Sequence, residues 1–534
     1  MSSEFDIKEH IKELDKKSTI SRLWKRDYTL WDDQDAEINN RLGWLTAAAQ
    51  MKTQLEEIEA FSDEIKSENL KYFVLLGMGG SSRAAKVIHR TIGGNNEFPT
   101  MVPLESTVPS TIGKALKEID LKSTLVIVAS KSGNTMEPLL TYELFKSEIV
   151  KAIGNDEAMN RFVAITDEHS PLHELSVKQN FRKVFLNPKD IGGRFSGITY
   201  FGLVPAALLG ANIGAMIDSG ENMRSLCTPE NPTTENPGAL LGATIGYLAK
   251  CGQDKLTLIT SPSVFGYGLW VVQLIAESLG KSGKGVIPIA GEPLMKPDHY
   301  GDDRFFVYLR LDTDDNKQTD NGIAEIRSNG HPVTTINMSD INSFGAEIFR
   351  WEVAISIAAS ILEVNPFNQP DVQLSKTSTH KILSDLSTSK LIANIESDQV
   401  SKLNSYLKSC RPNDYFGLLA YLPHNTSIDQ ALRSMREKVA RKYKIATTLG
   451  HGPSYLHSTG QLHKGGPNSG IFLMLTAPHT DDISIPTKSY TFGQVTDADA
   501  IGDLQTLKKL KRRVVHIKLA NDSSDAISCL TEHL

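Results

Sequence analysis

Short apolar runs, each followed by a glycine- or serine-containing turn and a helical stretch, recur between residues 72 and 186. Strands that alternate with helices form βαβ units, and consecutive βαβ units build a parallel sheet covered by helices. The sequence therefore predicts an α/β fold here, preceded by helices over the first 70 residues, where apolar positions have helical spacing. The predicted strands of this part are residues 72–76, 124–129, 162–165 and 184–186.

The same pattern starts again further along the chain, after residues 210–237, which carry no strand signal. A third block begins after about residue 380 and has helices, a loop rich in glycine and histidine, and a final strand–helix–strand pattern. A chain of 534 residues is long enough for three such units. We therefore predict a helical lead-in and first domain over 1–215, a second domain over 216–380 and a C-terminal α/β region over 381–534. The strands predicted for the second domain are residues 255–260, 285–289, 305–311 and 333–337, with helices at 270–279 and 346–362.

The charge balance argues against a dedicated nucleic-acid binder, because such proteins carry an excess of basic residues. Here 57 Lys and Arg residues stand against 63 Asp and Glu residues, which gives a net charge of −6.

The four cysteines lack the spacing of a structural zinc site or a disulfide framework, which favours a reducing cytoplasm. The apolar run at 201–217 is interrupted by Gly, Pro and Asn, so it predicts a buried helix rather than a membrane span. No signal peptide and no membrane partner are expected.

A glycine-rich loop, GMGGSS at residues 77–82, lies between the first predicted strand and a helical stretch. Glycines let the backbone approach an anion closely, and the N-terminus of the next helix adds free N–H groups and partial positive charge. Gly80 and Ser81 are therefore candidate phosphate ligands. Such turns also occur for packing alone, and this one lacks the full GxGxxG spacing, so the loop by itself leaves both interpretations open.

A second loop, SKSGNT at residues 130–135, also follows a predicted strand and precedes a helix. Ser130, Lys131, Ser132 and Thr135 form a dense set of hydrogen-bond donors without the GKS/T ending of a nucleotide-binding Walker loop. The alternative is a Ser/Thr cluster that only caps the helix. Two such loops in one sheet, both at the carboxyl ends of strands, favour a crevice that holds a phosphate monoester.

Five motifs, in order along the chain, resemble those of the glucose-6-phosphate isomerase family. The loop at 77–81 is similar to the family's GIGGS motif, and SKSGNTME at 130–137 is similar to its SK(T/S)xxTxET phosphate loop, with Pro138 where threonine is usual. The remaining matches are GGRFS at 192–196 with GGRYS, ESLGK at 277–281 with ESxGK, and NPFNQPDVQLSK at 365–376 with FDQxGVExxK. The resemblance implies two flavodoxin-like sugar-isomerase domains and the interconversion of glucose 6-phosphate and fructose 6-phosphate.

The resemblance also implies roles for single residues. Moving a proton between C1 and C2 through a cis-enediol requires a base, and the negative charge that develops on the oxygens requires a nearby cation. The family's motifs place the base at Glu277 and the cation at Arg194. They add Lys376 as an active-site lysine, which is a ring-opening candidate together with a histidine, and Glu137 as a supporting carboxylate. Without the motifs, a surface glutamate would be the favoured interpretation of Glu277, and a structural ion pair is the alternative interpretation of Arg194.

The family's histidine motif, LHSxGQxxxxG, is matched at 456–466, but here it follows the lysine motif instead of preceding it. This order is similar to the isomerase half of transaldolase/glucose-6-phosphate isomerase fusion proteins. His457 is therefore the candidate that protonates the ring oxygen, with His299 and His463 as alternatives. Family members are commonly dimers in which the partner supplies this histidine, so the resemblance makes a homodimer one possibility and leaves open both the oligomeric state and the subunit that provides His457.

A metal site is the alternative interpretation of the same stretch, because His451, His457 and His463 lie close together in sequence. His457 and His463 are six residues apart, which is not the four-residue spacing of two ligands on a helix, and no cysteine or acidic residue stands nearby. We therefore expect neither a metal nor another cofactor.

Two alternative functions remain. One is an isomerase that also accepts mannose 6-phosphate, since the enediol chemistry is shared. The other is a sugar-phosphate-sensing protein that keeps the loops but not catalysis. The presence of Arg194, Glu277, Lys376 and His457 argues against the second, because binding alone needs no base.

Overall fold

The computed structural model describes residues 7–93, 97–384 and 398–534. The lead-in is helical, as predicted, with short 3₁₀ turns between its second and third α-helices. In the last of these turns Trp44 is fully buried and stacks on Phe195 at 5.4 Å between ring centroids. The lead-in thereby supports the loop that carries the GGRFS motif. Its helices are α1 (Ile7–Lys16), α2 (Thr19–Trp24), α3 (Ala47–Lys52) and α4 (Leu55–Ser67).

A five-stranded parallel sheet follows the lead-in. Its strands are β1 (Tyr72–Gly77), β2 (Thr100–Leu104), β3 (Thr124–Ala129), β4 (Phe162–Asp167) and β5 (Lys183–Asn187). Its helices are α5 (Arg83–Ile92), α6 (Pro109–Glu118), α7 (Met136–Ile153), α8 (Asn155–Ala158) and α9 (Pro171–Lys178). The strand order is β2-β1-β3-β4-β5, so the chain changes direction across the sheet between β1 and β3. Ligands of such sheets bind outside the carboxyl ends of the strands at this position.

The strand β2 is missing from the sequence prediction, and its place in the sheet explains why. It lies at the sheet edge and pairs only with β1. Pro103 interrupts its apolar pattern, and proline is tolerated in a strand only where its missing N–H is not needed, as at an edge.

The second sheet is also parallel, in the order β7-β6-β8-β9. Its strands are β6 (Lys255–Thr260), β7 (Ile287–Ile289), β8 (Arg304–Leu311) and β9 (Val333–Met338). The helices before and around it are α10 (Tyr200–Leu208), α11 (Ile213–Leu226), α12 (Pro237–Lys250), α13 (Tyr267–Leu279), α14 (Lys317–Ser328), α15 (Phe344–Leu362) and α16 (Val372–Ser384). The apolar run at 201–217 is buried as predicted, but it forms α10 and the start of α11, with a break at Gly210 (φ +80°).

The C-terminal region contains a third parallel sheet, in the order β11-β10-β12-β13. Its strands are β10 (Tyr415–Tyr421), β11 (Ala446–His451), β12 (Gly470–Thr476) and β13 (Arg513–Lys518). Its helices are α17 (Gln399–Lys408), α18 (Thr426–Tyr443), α19 (Gly460–Gly465), α20 (Phe492–Lys509) and α21 (Ser524–Glu532). The predicted α/β class, with parallel sheets between helices, is confirmed.

The third sheet packs against the rest of the molecule through its helices. Helix α20 lies along α16, and α19 lies on α13. The contact with α13 is so close that a Cβ on Gly280 would stand 2.6 Å from the Cα of Leu462. The turn Ser454–His457 therefore reaches the glycine-rich loop after β1, where the two are in contact.

None of the helices within the described ranges is long and apolar enough to cross a bilayer.

Candidate active site

A cleft of about 550 Å³ opens at the carboxyl ends of β1 and β3 and is walled by all three parts of the chain. Of the residues predicted from sequence, its lining includes Gly80, Ser81, Lys131, Ser132, Thr135, Arg194, Glu277, Lys376 and His457. The other two, Ser130 and Glu137, lie directly behind the wall. The Ser130 hydroxyl is 3.0 Å from that of Thr135, and Glu137 contacts His457. The structure thus gathers all the predicted site residues around one cavity.

Two positions of the loop after β1 require glycine, because the backbone of other segments comes too close to leave room for a side chain. A Cβ on Gly80 would stand 2.2 Å from the carbonyl of Gly193. Gly79 has φ +56°, and a Cβ there would meet the carbonyl oxygen of His457 at 2.4 Å. The absence of side chains at these two positions lets the Arg194 turn and the His457 turn converge on the carboxyl end of β1.

The loop after β3 presents polar groups at the N-terminus of α7, which is 18 residues long. Ser132 and Thr135 line the cleft there. Lys131 also lines it, but its ammonium is ion-paired with Asp167 at the end of β4 and donates to the carbonyl of Lys189 at 3.2 Å. Backbone N–H groups, hydroxyls and the partial positive charge of the helix end make this side of the cleft suited to an anion.

Arg194 is held by backbone carbonyls of the segment that leads into α16. Its Nε and Nη2 donate to the carbonyl oxygen of Pro366 at 3.1 and 2.6 Å, and Nη2 also donates to that of Asn368 at 2.9 Å. Only Nη1 is left for a side chain, and it lies 3.4 Å from Oε2 of Glu277. Burial lowers the pKa of Arg194, and the nearby Glu277 carboxylate opposes that shift. A guanidinium keeps its charge in such surroundings.

Glu277 lies in the last turn of α13, on the wall of the cleft, and is 5% exposed. Gln273, one helical turn earlier, donates from Nε2 to Oε2 of Glu277 at 3.1 Å and to the carbonyl oxygen of His457 at 3.0 Å. Gln273 is not among the residues predicted from sequence, although its four-residue spacing from Glu277 on an apolar helix is a usable signal. The Gln273 amide therefore fixes the Glu277 carboxylate relative to the turn Ser454–His457.

His457 ends the turn Ser454–His457, and its Nε2 lies 2.6 Å from Oε1 of Glu137 in the first turn of α7. Burial alone would raise the pKa of Glu137, but the His457 imidazole holds it below its ordinary value. Behind the pair lies Asp499 of α20, whose pKa is raised well above the ordinary value by burial and by the charge of Glu137. An imidazole and a carboxylate at this distance form an acid–base pair at the cleft wall.

Lys376 on α16 is the remaining predicted group, and it lines the same cavity. The alternative histidines lie elsewhere. His299 is in a 3₁₀ turn before β8 and is not part of the cleft lining. His463 is buried on α19 between the rings of Tyr455 and Phe472. Of these three histidines, His457 alone faces the cleft.

The arrangement places a buried carboxylate beside a buried guanidinium, an imidazole–carboxylate pair on another wall and an anion-binding loop at one side. These groups can transfer protons on a small anionic substrate while a fixed cation stabilises developing negative charge. Among the described residues, the one group of His, Cys, Asp and Glu side chains close enough to share a metal ion lies outside the cleft.

Comparison with known proteins relates this chain to phosphoglucose isomerases. Residues 40–281 match the phosphoglucose isomerase family. The glucose-6-phosphate isomerase of Staphylococcus saprophyticus is 30% identical over 386 residues, which cover 64% of this chain and 86% of that protein. The enzyme of the same name from Staphylococcus aureus strain NCTC 8325 is 29% identical over 388 residues, again 64% and 86% of the two chains.

Two solved structures share the fold. A hypothetical protein from Thermus thermophilus superposes with a TM-score of 0.61 at 21% identity, over 70% of this chain and 96% of that one. A glucose-6-phosphate isomerase from Chlamydia trachomatis superposes with a TM-score of 0.60 at 18% identity, over 72% and 87% of the two chains.

Proposed function

The chain belongs to the glucose-6-phosphate isomerase family and is an aldose–ketose isomerase, and on that premise we propose how its cleft interconverts glucose 6-phosphate and fructose 6-phosphate. The proposal is carried by one observation, the 3.4 Å contact between Nη1 of Arg194 and Oε2 of Glu277 inside the cleft. A base and a cation so close together can act on neighbouring atoms of one substrate.

Glu277 is the base that takes the proton from C2 of the aldose, or C1 of the ketose, and returns it to the other carbon. The electron pair released at carbon passes to the carbonyl oxygen, giving the cis-enediolate. A proton then moves between the two oxygens, so that the carbonyl forms at the other carbon when Glu277 returns its proton. Arg194 lies beside the carboxylate, where its guanidinium stabilises the enediolate oxygen. Hydrogen bonds to two backbone carbonyls hold the guanidinium in place, so the site needs little reorganisation when the negative charge appears on the substrate oxygen.

Ring opening falls to the pair of His457 and Glu137. The cyclic sugar opens when its ring oxygen gains a proton and its anomeric hydroxyl loses one to water in the open cleft. His457 supplies the proton to the ring oxygen, and Glu137, 2.6 Å from its Nε2, orients the imidazole and stabilises its charged form. Lys376 faces the same cavity and provides a second cation near the sugar oxygens.

The phosphate group is bound by the loops after β1 and β3. Ser81, Ser132 and Thr135 offer donors, and Gly80 permits close approach of the backbone. Ser130 supports Thr135 from behind the wall. Lys131 adds positive charge, which its ion pair with Asp167 partly neutralises. Binding this remote group supplies energy for positioning the reacting carbons.

The groups of this mechanism come from a single chain, since His457 reaches the cleft from the third sheet of the same molecule. We therefore propose that one chain suffices for catalysis, and that a homodimer, if it forms, does not share the active site. The four cysteines are all free, which supports a reducing cytoplasm as its compartment.

The proposal is tested with the purified chain, fructose 6-phosphate and a dehydrogenase that reports glucose 6-phosphate as it forms. We expect turnover without added metal or nucleotide, unchanged by a chelator. Mannose 6-phosphate in a parallel assay tests the wider specificity. Absence of turnover with glucose and fructose phosphates, with and without the chelator, would refute the assignment.

A further inference from the structure

Three metal-ligating side chains converge at the carboxyl ends of β10 and β11, outside the cleft. His424 follows β10, Asp429 is in the first turn of α18, and His451 is the last residue of β11. One ligand atom from each lies within 4.8 Å of the other two. Nδ1 of His424 is 2.7 Å from one carboxylate oxygen of Asp429, and Nε2 of His451 is 3.5 Å from the other. Two imidazole nitrogens therefore face one carboxylate.

One oxygen of this group lacks the partner that buried polar atoms normally have. Oδ1 of Asp429 is buried and forms no hydrogen bond with any described residue. More than nine in ten buried polar atoms of the backbone, and most of those of side chains, are paired in native proteins. The unpaired carboxylate oxygen faces an imidazole nitrogen at 3.5 Å, a spacing too long for a hydrogen bond but suited to two ligands of one ion.

The donor set points to a transition-metal ion. Imidazole is a borderline ligand and carboxylate a hard one, and two imidazoles with one carboxylate form a known zinc set that leaves a fourth position for water. Zinc bonds of about 2.0–2.2 Å place tetrahedral ligands roughly 3.4 Å apart, and the observed separations lie on either side of that value. We propose that His424, Asp429 and His451 bind one Zn²⁺ ion through Nδ1, a carboxylate oxygen and Nε2.

The surrounding charges limit the affinity of this site for a cation. Lys86 and Arg83 of α5 lie nearby, and Glu105 offsets them through ion pairs at 3.0 and 4.0 Å. Arg90 of the same helix interacts with Asp429 and is a like charge for the metal. The negative charge of Asp429 is the attraction that opposes it.

The bound ion would connect the loop after β10 and the start of α18 to the end of β11. His451 is six residues before His457, so the same strand end leads into the turn at the cleft. The expected effect is stabilisation of the third sheet, because an ion that binds only the folded state raises its stability by mass action. This role is separate from the isomerase chemistry and does not depend on it.

The test uses the full chain, stripped with a chelator and titrated with ZnCl₂ by calorimetry, with Co²⁺ absorption as a spectroscopic reporter of ligation. His424→Ala and Asp429→Asn remove ligands. His479→Ala is the matched control, because His479 follows the neighbouring strand β12 and lies 3.0 Å from Asp497 without a third ligand among the described side chains. We expect one Zn²⁺ per chain for the wild type and the control, and affinity reduced at least about tenfold in both ligand variants.

Zinc should also raise the midpoint of thermal unfolding of the wild type and the control, but not of the ligand variants. His424 lies in a partly exposed loop, so His424→Ala decides the matter if Asp429→Asn fails to fold; isomerase activity and circular dichroism report folding in each case. Equal zinc affinity in wild type and ligand variants, or no binding by the wild type, would show a plain histidine–aspartate ion pair and overturn the proposal.

Discussion

Arg194 and Glu277 form a buried contact in which the arginine is the more constrained partner. Three hydrogen bonds to the carbonyls of Pro366 and Asn368 fix the guanidinium, and its last nitrogen points at the carboxylate 3.4 Å away. Glu277 has a second donor in Gln273. The contact is loose enough for substrate oxygens to approach the cation, and it is held in place by groups that do not react.

Replacing Arg194 by lysine should lower kcat by about 10²–10³-fold with a smaller effect on KM, because an ammonium cannot keep the carbonyl contacts and also face the enediolate oxygen. Steady-state kinetics on the coupled assay measure both constants. Arg350→Lys is the matched control, since Arg350 pairs with the buried Glu347 at 3.0 Å outside the cleft. Equal losses in the two variants would place the role of Arg194 in folding.

Replacing His457 by alanine should lower kcat on glucose 6-phosphate by about 10²–10⁴-fold, because the ring oxygen loses its proton donor. A four-carbon aldose phosphate that cannot close into a ring bypasses this step, so the variant should isomerise it at a rate near that of the wild type. An equal loss on both substrates would mean that His457 serves the proton transfer at carbon or only the shape of the site.

Mixtures of two inactive variants distinguish a site within one chain from a shared site. Glu277→Gln and His457→Ala each remove one group, and in our account both groups belong to the same chain. Co-refolded or long-incubated mixtures should therefore stay inactive at all ratios. Recovery of activity on mixing would show that a partner subunit supplies His457.

The buried Glu347 should make stability depend on pH. Burial raises its pKa to about 7, and Arg350 only partly opposes this shift. The unfolded chain titrates near pH 4.5, so the stability contributed by the neutral carboxyl is complete below that pH and is lost as the pH rises to about 7. The shift corresponds to about 3 kcal/mol.

Glu347→Gln stays neutral, so its thermal midpoint relative to the wild type should rise between about pH 5 and pH 8. Scanning calorimetry across that range measures it, with the exposed Glu325→Gln as control. If the midpoints of wild type and Glu347→Gln change in parallel, the carboxyl is already ionised in the folded state.

Most of the fold could be predicted, because buried parallel strands have nearly continuous apolar sequences. β3 is such a run, buried at every position, and its ends were predicted correctly. β2 could not be found in this way. It is an edge strand that contains a proline, so its sequence lacks the continuous apolar run of a buried strand. The break of the 201–217 run into two helices depends on a glycine conformation that the surrounding packing selects.

The site was predictable where a residue stands in a motif at the end of a strand or helix, as Lys131, Arg194 and Glu277 do. The position of His457 was not, because it follows Glu277 by 180 residues and only the packing of α19 on α13 brings them together. The same limit applies to Asp429. It precedes His451 by 22 residues, and a search for acidic ligands near the histidines in sequence misses it.

The central claim is that Glu277 transfers the proton, and Glu277→Gln tests it most directly. The measurement is kcat for fructose 6-phosphate, together with calorimetric binding of the same substrate, beside Glu347→Gln as a buried glutamate outside the cleft. We predict that kcat falls by about 10²–10⁴-fold in Glu277→Gln while substrate binding persists, and that Glu347→Gln keeps its kcat. Retained turnover in Glu277→Gln, or loss of binding along with turnover, would contradict the account.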